Sequence, residues 1–133
     1  MFMVEIEFNF TRIDDSQLEF IKAILQSEGY ELLQPSVQNE ILRIRSNDKI
    51  TSLIENENSY KLITEFEPDT KAYDKLVGLI IAAYQMSLLK KVGVDSTLHH
   101  DEMGYVIEPS NRNGINDLRQ RLKHAVNDID SSE

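Results

Sequence analysis

The stretch that decides the fold is residues 40–67, which read EILRIRSNDKITSLIENENSYKLITEFE. Apolar and polar residues alternate in three runs, and two short polar segments separate the runs at 46–49 and 56–59. Because successive side chains of a β-strand point to opposite faces, each run predicts a strand with one buried face. Connections this short join antiparallel neighbours, so the sequence predicts an antiparallel meander of three strands.

The N-terminal segment adds a strand and a helix to this meander. Residues 4–10 alternate in the same way and predict a further strand. A helix is predicted from Asp14, which can form a capping box with Gln17, to Gly29, which suits the left-handed conformation that often follows a helix. The next residues are expected to lead into a loop around Pro35.

A second helix is predicted over residues 72–91. Its apolar side chains nearly encircle it between Leu76 and Ala83, so it needs cover on most sides. One face can pack on the sheet, whereas the opposite face needs another helix or another subunit. Gly78 costs about 1 kcal/mol relative to alanine inside a helix, which predicts close packing of another backbone against it.

The C-terminal third has a less regular sequence. Residues 94–112 are predicted to be irregular apart from a short strand at 105–107, and apolar residues at helical spacing predict a last helix over 115–129. Residues 128–133 are predicted to form a frayed acidic tail. The whole pattern predicts a single α+β domain over residues 1–133, with an antiparallel meander sheet of about four strands, helices packed on one face, and the order βαβββα(β)α.

Composition narrows the class of protein. The chain has 133 residues, which suits one domain, and no cysteine, which excludes disulfides and thiol chemistry. Its net charge of −9 disfavours contact with nucleic-acid phosphates and with anionic lipid, so no direct nucleic acid binding is expected. The most apolar stretch, residues 76–89, is too short to span a membrane, and the N-terminus lacks the features of a secretory signal. We therefore expect a cytoplasmic protein, and a composition rich in Asn, Ile and Lys suggests a phage or another mobile element.

The candidates for reactive groups are four consecutive residues, His99, His100, Asp101 and Glu102. Imidazole and carboxylate groups together can bind zinc, manganese or iron. The spacing argues against this, because adjacent side chains diverge on a strand and no His-x-x-x-His pair is present. A solvated polar loop is the simpler interpretation. The sequence therefore predicts no cofactor and assigns no catalytic residue, and it leaves these four residues as weak candidates for metal ligands.

Three functions remain open. The first is a non-enzymatic interaction or regulatory domain, such as an adaptor, an inhibitor or an assembly factor, whose protein partner the sequence does not identify. The second is an acidic inhibitor that mimics nucleic-acid phosphates. The third is a small metal- or ligand-binding enzyme that uses the loop over residues 95–108. A homodimer is also expected, through a face of the helix over 72–91 or of the helix over 115–129.

The acidic-inhibitor hypothesis depends on the sheet. If the first strand and the last strand of the meander are neighbours, one exposed surface carries four carboxylates: Glu5, Glu7, Glu65 and Glu67. Spaced carboxylates can imitate a row of phosphates and occupy a basic groove. Arg43 and Arg45 are expected to face Glu65 and Glu67 across the same surface, as cross-strand pairs that fix the register.

Overall fold

The computed structural model describes residues 3–110, and its main feature is a five-stranded antiparallel sheet. Two helices pack on one face of the sheet, and a separate two-stranded hairpin follows the second helix. Neither helix in this range is both long and apolar enough to cross a membrane. In chain order the elements are β1 (Val4–Phe8), α1 (Asp15–Ser27), β2 (Glu31–Leu33), β3 (Glu40–Ser46), β4 (Lys49–Glu55), β5 (Tyr60–Thr64), α2 (Lys71–Lys91), β6 (Ser96–Asp101) and β7 (Gly104–Pro109). The predicted helix over 115–129 and the predicted tail over 128–133 lie outside the described residues.

The predicted α+β class and the antiparallel meander are confirmed. Strand order across the sheet is β1-β5-β4-β3-β2, and every neighbouring pair is antiparallel. The meander consists of β3, β4 and β5. Strand β1 pairs with β5 from Val4 opposite Thr64 to Phe8 opposite Tyr60, so the first strand and the last strand of the meander are neighbours.

The sequence predicts about four strands in the sheet, whereas the sheet has five. The additional strand, β2, comprises residues that were expected to lead into a loop, and it pairs with Arg43–Arg45 of β3. Three residues are too few to show an alternation, and Leu32 and Leu33 are both partly buried. Strand formation here depends on backbone pairing with β3, for which the local sequence contains no signal.

The core lies between one face of the sheet and the two helices. Side chains alternate between the two faces along each strand, so every second one points to this face. Each helix adds an apolar stripe. The largest fully buried side chains include Ile21, Leu25, Ile44, Leu53, Leu62, Leu76, Leu79 and Ile80. The hydroxyl groups of Thr51 and Thr64 lie 2.8 Å apart within the buried face, so each satisfies the other in apolar surroundings.

The start of α1 lies against the end of α2. The predicted capping box is confirmed, because the Gln17 N–H donates to the Asp14 carboxylate at 2.8 Å and the Asp14 N–H donates to the Gln17 side chain at 3.1 Å. The buried Gln17 side chain also donates to the Ser87 hydroxyl at 3.2 Å. Lys91 lies 2.9 Å from Asp14, and this contact, together with the Gln17 N–H, lowers the pKa of Asp14.

The segment predicted to be irregular forms the hairpin of β6 and β7. The two strands pair along all six residues of each. The predicted short strand at 105–107 lies within β7 and is confirmed, whereas the expectation that the residues around it are irregular is wrong. The local pattern misses the hairpin because β6 ends in three consecutive exposed polar residues, which interrupt the alternation expected of a strand.

The hairpin packs on the side of α2 that carries Gly78, and two of its side chains, Leu98 and Tyr105, also pack against the main core. Each residue of an α-helix advances by about 100°, so residues 78 and 80 point about 160° apart. Ile80 is buried in the core, whereas Gly78 contacts Tyr105 of β7. The hairpin therefore supplies the cover for this face of α2, which the sequence assigned to another helix or another subunit.

Among residues 3–110, no other backbone approaches residue 78 so closely that a glycine is required there. A Cβ atom added to it would lie 3.7 Å from Cδ2 of Tyr105, which is an ordinary van der Waals contact. The predicted packing of a backbone against Gly78 is therefore wrong, since the neighbour is an aromatic side chain with room for a methyl group.

Gly78→Ala is expected to raise the free energy of unfolding by about 0.5–1 kcal/mol, because alanine has the higher helix propensity and its methyl group fits. Urea unfolding followed by far-ultraviolet circular dichroism measures the change. Gly29→Ala is the matched control, because Gly29 has a φ of +96°. At that angle an alanine is strained, so the control is expected to lose about 1 kcal/mol. A loss of stability in Gly78→Ala would contradict the packing described here.

Candidate functional site

The two adjacent histidines lie on β6 and point to opposite faces of the hairpin. His99 Nε2 lies 3.1 Å from Glu108 Oε2 on the outer face, where both side chains are more than half exposed. His100 contacts the Tyr105 ring in an edge arrangement with 4.8 Å between the ring centroids, on the side that faces α2. The residues form a strand and not the predicted polar loop. Strand geometry then separates the two imidazoles, because successive side chains alternate between faces.

Asp101 and Glu102 lie at the end of the hairpin. The Asp101 carboxylate accepts a hydrogen bond from the Met103 N–H at 2.8 Å, which is a local turn contact. Glu102 is exposed. Among residues 3–110, no group of three or more His, Asp or Glu side chains is arranged to hold a metal ion. The geometry gives no support to a metal at these positions.

A cleft of about 1020 Å³ lies between α2 and the tip of the hairpin. The α2 wall carries Lys71, Asp74 and Lys75, and the hairpin wall carries His100 and Tyr105. The three charged side chains of the α2 wall are exposed to solvent. Because groups of both signs line this open cleft, its charge favours no single class of ligand.

Tyr105 is the group in the cleft with the clearest electrostatic perturbation. Burial, with smaller contributions from the Glu28 carboxylate and from Tyr30, raises the pKa of Tyr105 to about 12. Its hydroxyl is buried and has no hydrogen-bond partner among the described residues. Since this hydroxyl does not ionise near neutral pH, it is poorly suited to acid–base catalysis there. The ring instead anchors the hairpin to α2.

The second surface is the face of the five-stranded sheet that the helices leave uncovered, which we call the open face. Both helices pack on the other face, and the hairpin packs on α2. The outward side chains of the open face are Glu5, Glu7, Glu31, Leu33, Glu40, Arg43, Arg45, Ile50, Ser52, Ile54, Lys61 and Ile63, with Glu65 just after β5.

The four predicted carboxylates lie on or beside the β1–β5 part of the open face. Glu5 lies 3.6 Å from Lys61. Glu65 accepts a hydrogen bond from a backbone N–H of β4 at 2.7 Å. Glu7 and Glu67 are exposed, and no lysine or arginine of residues 3–110 is within ion-pair distance of either. The structure thus places Glu7 opposite Lys61 near one end of the β1–β5 pairing, and Glu65 beyond the other end, so the carboxylates are spread along the pair of strands.

The sequence predicts that the arginines of β3 face the carboxylates at the end of β5. The structure pairs them with other residues. Arg45 forms a bidentate pair with Glu31 of β2, with a shortest N–O distance of 2.8 Å. Arg43 lies 3.6 Å from Glu40 of its own strand. These pairs neutralise the arginines on the β2–β3 side of the sheet. The β1–β5 side therefore keeps an excess of negative charge.

Between these two charged regions lies an apolar strip, defined by Met3, Val37, Ile50, Ile54 and Ile63. Met3 and Val37 are each 55% exposed, and the three isoleucines are partly buried at outward positions of β4 and β5. The strip lines a shallow depression of about 390 Å³. This site was not predicted from the sequence. The isoleucines occupy outward positions in the strand alternation, and that pattern was sufficient to predict an apolar strip.

Glu40 closes one side of the strip. Burial disfavours its charged form, but hydrogen bonds from Ser52 and from the Ser36 N–H, together with the nearby Arg43, outweigh this effect and lower the pKa of Glu40. The Ser36 N–H donates at 2.7 Å. The strip is therefore bordered on this side by a fixed, charged carboxylate.

The sequence matches no model of a known protein family, and no curated protein matches it either. No activity, ligand or partner is carried over from a relative. The hairpin, the cleft beside it and the open face are the surfaces from which a function can be inferred.

Tyr105→Phe is expected to leave the free energy of unfolding at neutral pH unchanged or to raise it by about 1 kcal/mol, because a buried hydroxyl without a partner is costly. Tyr60→Phe is the matched control, since the Tyr60 hydroxyl accepts a hydrogen bond from the buried Ile13 N–H at 2.8 Å. The control is expected to lose about 1–2 kcal/mol. Equal losses in the two variants would show that the Tyr105 hydroxyl has a partner.

The variant Tyr105→Phe also tests how the free energy of unfolding changes at alkaline pH. The pKa of Tyr105 is about 12 in the folded chain against an ordinary value of 10.0, so the unfolded chain releases this proton first. The contribution of Tyr105 to stability is therefore complete below pH 10 and is lost as the pH rises towards 12. Urea unfolding across this range is expected to show a smaller loss for Tyr105→Phe than for the wild type.

Zinc, manganese and nickel are each expected to leave the melting temperature unchanged, because His99 and His100 point to opposite faces. Differential scanning fluorimetry with and without each metal measures this. The double variant His99→Ala, His100→Ala is the control. A rise in the melting temperature of the wild type that the double variant abolishes would contradict the geometry and establish a metal site.

Proposed function

We propose that this protein is a non-enzymatic interaction or regulatory domain that binds a protein partner through the open face of its sheet. The observation that carries the proposal is the apolar strip, which includes two large side chains, Met3 and Val37, that are each 55% exposed. Exposed apolar surface bordered by polar residues is typical of interaction sites. The strip lies in the middle of the open face, where a partner can contact the charged regions on both sides of it.

The charges of the open face define the chemistry of the partner. Arg43, Arg45 and Lys61 each have a carboxylate partner within the chain. Glu7 lies opposite Lys61, which pairs with Glu5 instead, and Glu67 has no lysine or arginine of the described residues within ion-pair distance. A partner that presents an apolar ridge flanked by lysines or arginines would cover the strip and neutralise these carboxylates, and such complementarity provides specificity.

The hairpin region supports an interaction role better than an enzymatic one. His99 and His100 point apart, and His100 contacts the Tyr105 ring. Tyr105 stays neutral near physiological pH. An active site needs reactive groups within reach of one substrate atom, and the cleft beside the hairpin offers no such set among the described residues. An enzyme that uses residues 95–108 is therefore the less favoured alternative.

An inhibitor that mimics nucleic-acid phosphates is the second candidate. It is favoured by the carboxylates of two neighbouring strands, Glu5 and Glu7 on β1 and Glu65 just after β5. The apolar strip argues against it, because outward-facing isoleucine side chains do not complement a basic groove that binds phosphates. The salt dependence of binding separates the two, since a phosphate mimic loses affinity steeply with salt and an apolar contact does not.

The cellular setting is also part of the proposal. The lack of cysteine suits a reducing compartment, and the net charge of −9 suits a protein that stays dispersed in the cytoplasm. We place the protein there, and the composition rich in Asn, Ile and Lys favours an origin in a phage or another mobile element.

The double variant Ile54→Asp, Ile63→Asp is expected to reduce the amount of captured partner by about tenfold or more, because it places two carboxylates in the apolar strip. The measurement is affinity capture from the native host with quantitative mass spectrometry, using the tagged wild type and the tagged variant in parallel. Val106→Asp is the control, because Val106 is 46% exposed on the hairpin, away from the open face.

A host protein captured by the wild type and the control, and lost from the double variant, supports the proposal. Melting temperatures of all three chains confirm that each is folded. If the double variant captures the same proteins in the same amounts, the open face is not the binding surface. A captured amount that falls steeply as salt rises would favour the phosphate mimic instead.

A further inference from the structure

We infer that two copies of this chain pack their open faces against each other, about a two-fold axis that runs along β4. The inference rests on the proposed function for the choice of surface, and it names one occupant of that surface, which is a second copy of the chain. The dimer covers the apolar strip, so a protein partner competes with the second copy for the open face.

Strand β4 is the middle strand of the sheet, and its outward side chains are apolar near both ends. The order β1-β5-β4-β3-β2 leaves two strands on each side of β4. Ile50 and Ile54 point outward from it, with Ser52 between them. A two-fold axis along β4 keeps the position along the strand, so it places each of these side chains over the same side chain of the second copy. The isoleucines of each β4 are then covered by those of the other.

The same axis brings β5 of one copy over β3 of the other, where the charges are complementary. One row across β4 has Arg45 on the β3 side and Glu65 on the β5 side. Another row has Glu40 on the β3 side and Lys61 on the β5 side. Glu65 of one copy therefore faces Arg45 of the other, and Lys61 lies over the side that carries the buried negative charge of Glu40. Opposite charges across an interface fix its orientation.

Both members of the contact between Glu65 and Arg45 have unused hydrogen-bonding atoms. Arg45 uses Nε and Nη2 for Glu31, and its Nη1 group has no partner among the described residues. Glu65 accepts from the Ile50 N–H through Oε1, and no described residue donates to its Oε2. Because a guanidinium carries five N–H donors in a fixed fork, Arg45 can bind a second carboxylate without releasing the first.

The charges also decide the direction of the axis. An axis across the strands would place each strand over its own copy. In the middle row, which contains Glu5, Ile63, Ser52 and Arg43, it would set Arg43 against Arg43 and Glu5 against Glu5. Like charges in such positions are unfavourable. The axis along β4 instead places Ile63 over the aliphatic part of the Arg43 side chain, which is an apolar contact.

The geometry of packed sheets is compatible with these contacts. Two sheets that pack face to face lie about 10 Å apart, and their strands cross at about 30°. Strands β3 and β5 lie about 4.8 Å from the axis, so this crossing displaces their opposed positions by about 2.5 Å, which is less than one residue of a strand. The outer strands are displaced about twice as far. The three central strands therefore hold the dimer.

Two charge-swap variants test the contact between Glu65 and Arg45. Arg45→Glu sets two carboxylates against each other in the dimer, and Glu65→Arg sets two guanidinium groups against each other. Each variant alone is expected to have the mass of one subunit, whereas the wild type has the mass of two. The symmetric dimer contains the contact twice, so its dissociation constant is expected to rise by about a hundredfold in each variant.

An equimolar mixture of the two variants is the decisive measurement. In the mixed dimer both contacts again join opposite charges, so the mixture is expected to have the mass of two subunits. Unfolding of either variant cannot produce this result. The masses are measured by light scattering at high micromolar concentration in about 0.15 M salt, where the Debye length is about 8 Å and screening weakens the repulsion between two copies of net charge −9.

An apolar variant provides a second test that does not depend on the charge swap. Ile54→Asp, Ile63→Asp is expected to have the mass of one subunit, because it places carboxylates in the covered strip. Val106→Asp is the matched control, since Val106 lies on the hairpin, and it is expected to keep the mass of two. Melting temperatures of all variants show that each is folded.

A wild type with the mass of one subunit overturns the inference, and so does a mixture of the folded charge-swap variants that stays monomeric. The proposed function fails separately. A monomeric wild type whose captured host protein is lost from Ile54→Asp, Ile63→Asp overturns the dimer and leaves the proposed function standing. A dimer that the mixture restores, with unchanged capture of host proteins by Ile54→Asp, Ile63→Asp, supports the dimer and overturns the binding of a partner to the open face.

Discussion

The structure depends on one constraint, which is that α2 is apolar around most of its circumference and has to be covered on two sides. The core covers the side that carries Leu76, Ile80 and Ala83. The hairpin covers the side that carries Gly78, which contacts Tyr105. Because both helices and the hairpin are used in this way, none of these elements is available for the other face of the sheet. The open face is therefore the broad surface on which a binding role can be built.

Much of the fold could be predicted from the sequence, because it is specified by local patterns. The meander of β3, β4 and β5 follows from alternation and polar turns, and the start of α1 follows from the capping box of Asp14 and Gln17. Strand β2 could not be predicted, since three residues contain no period and their pairing depends on β3. The hairpin was missed because its polar residues interrupt the alternation, and the contact that holds it to α2 joins residues distant in sequence.

The candidate site was predictable only in part, because some of its contacts join residues that are distant in the sequence. Adjacent strands β1 and β5 bring Glu5, Glu7 and Glu65 to one face of the sheet, as alternation and strand order imply. The pairing of Arg45 with Glu31 depends on β2, a strand that the local sequence did not reveal. That pair changes the interpretation of the surface, because it neutralises Arg45 on the β2–β3 side, away from the carboxylates of β1. The apolar strip then becomes the feature that distinguishes the open face from an ordinary charged one.

The edges of the sheet favour binding through the face over the addition of a strand. Edge strand β1 carries the exposed carboxylates of Glu5 and Glu7, and charge along an edge discourages another strand from pairing with it. The other edge, β2, has three residues and carries the Glu31–Arg45 pair. Under the proposed function, recognition on the open face would depend on side chains and less on the backbone.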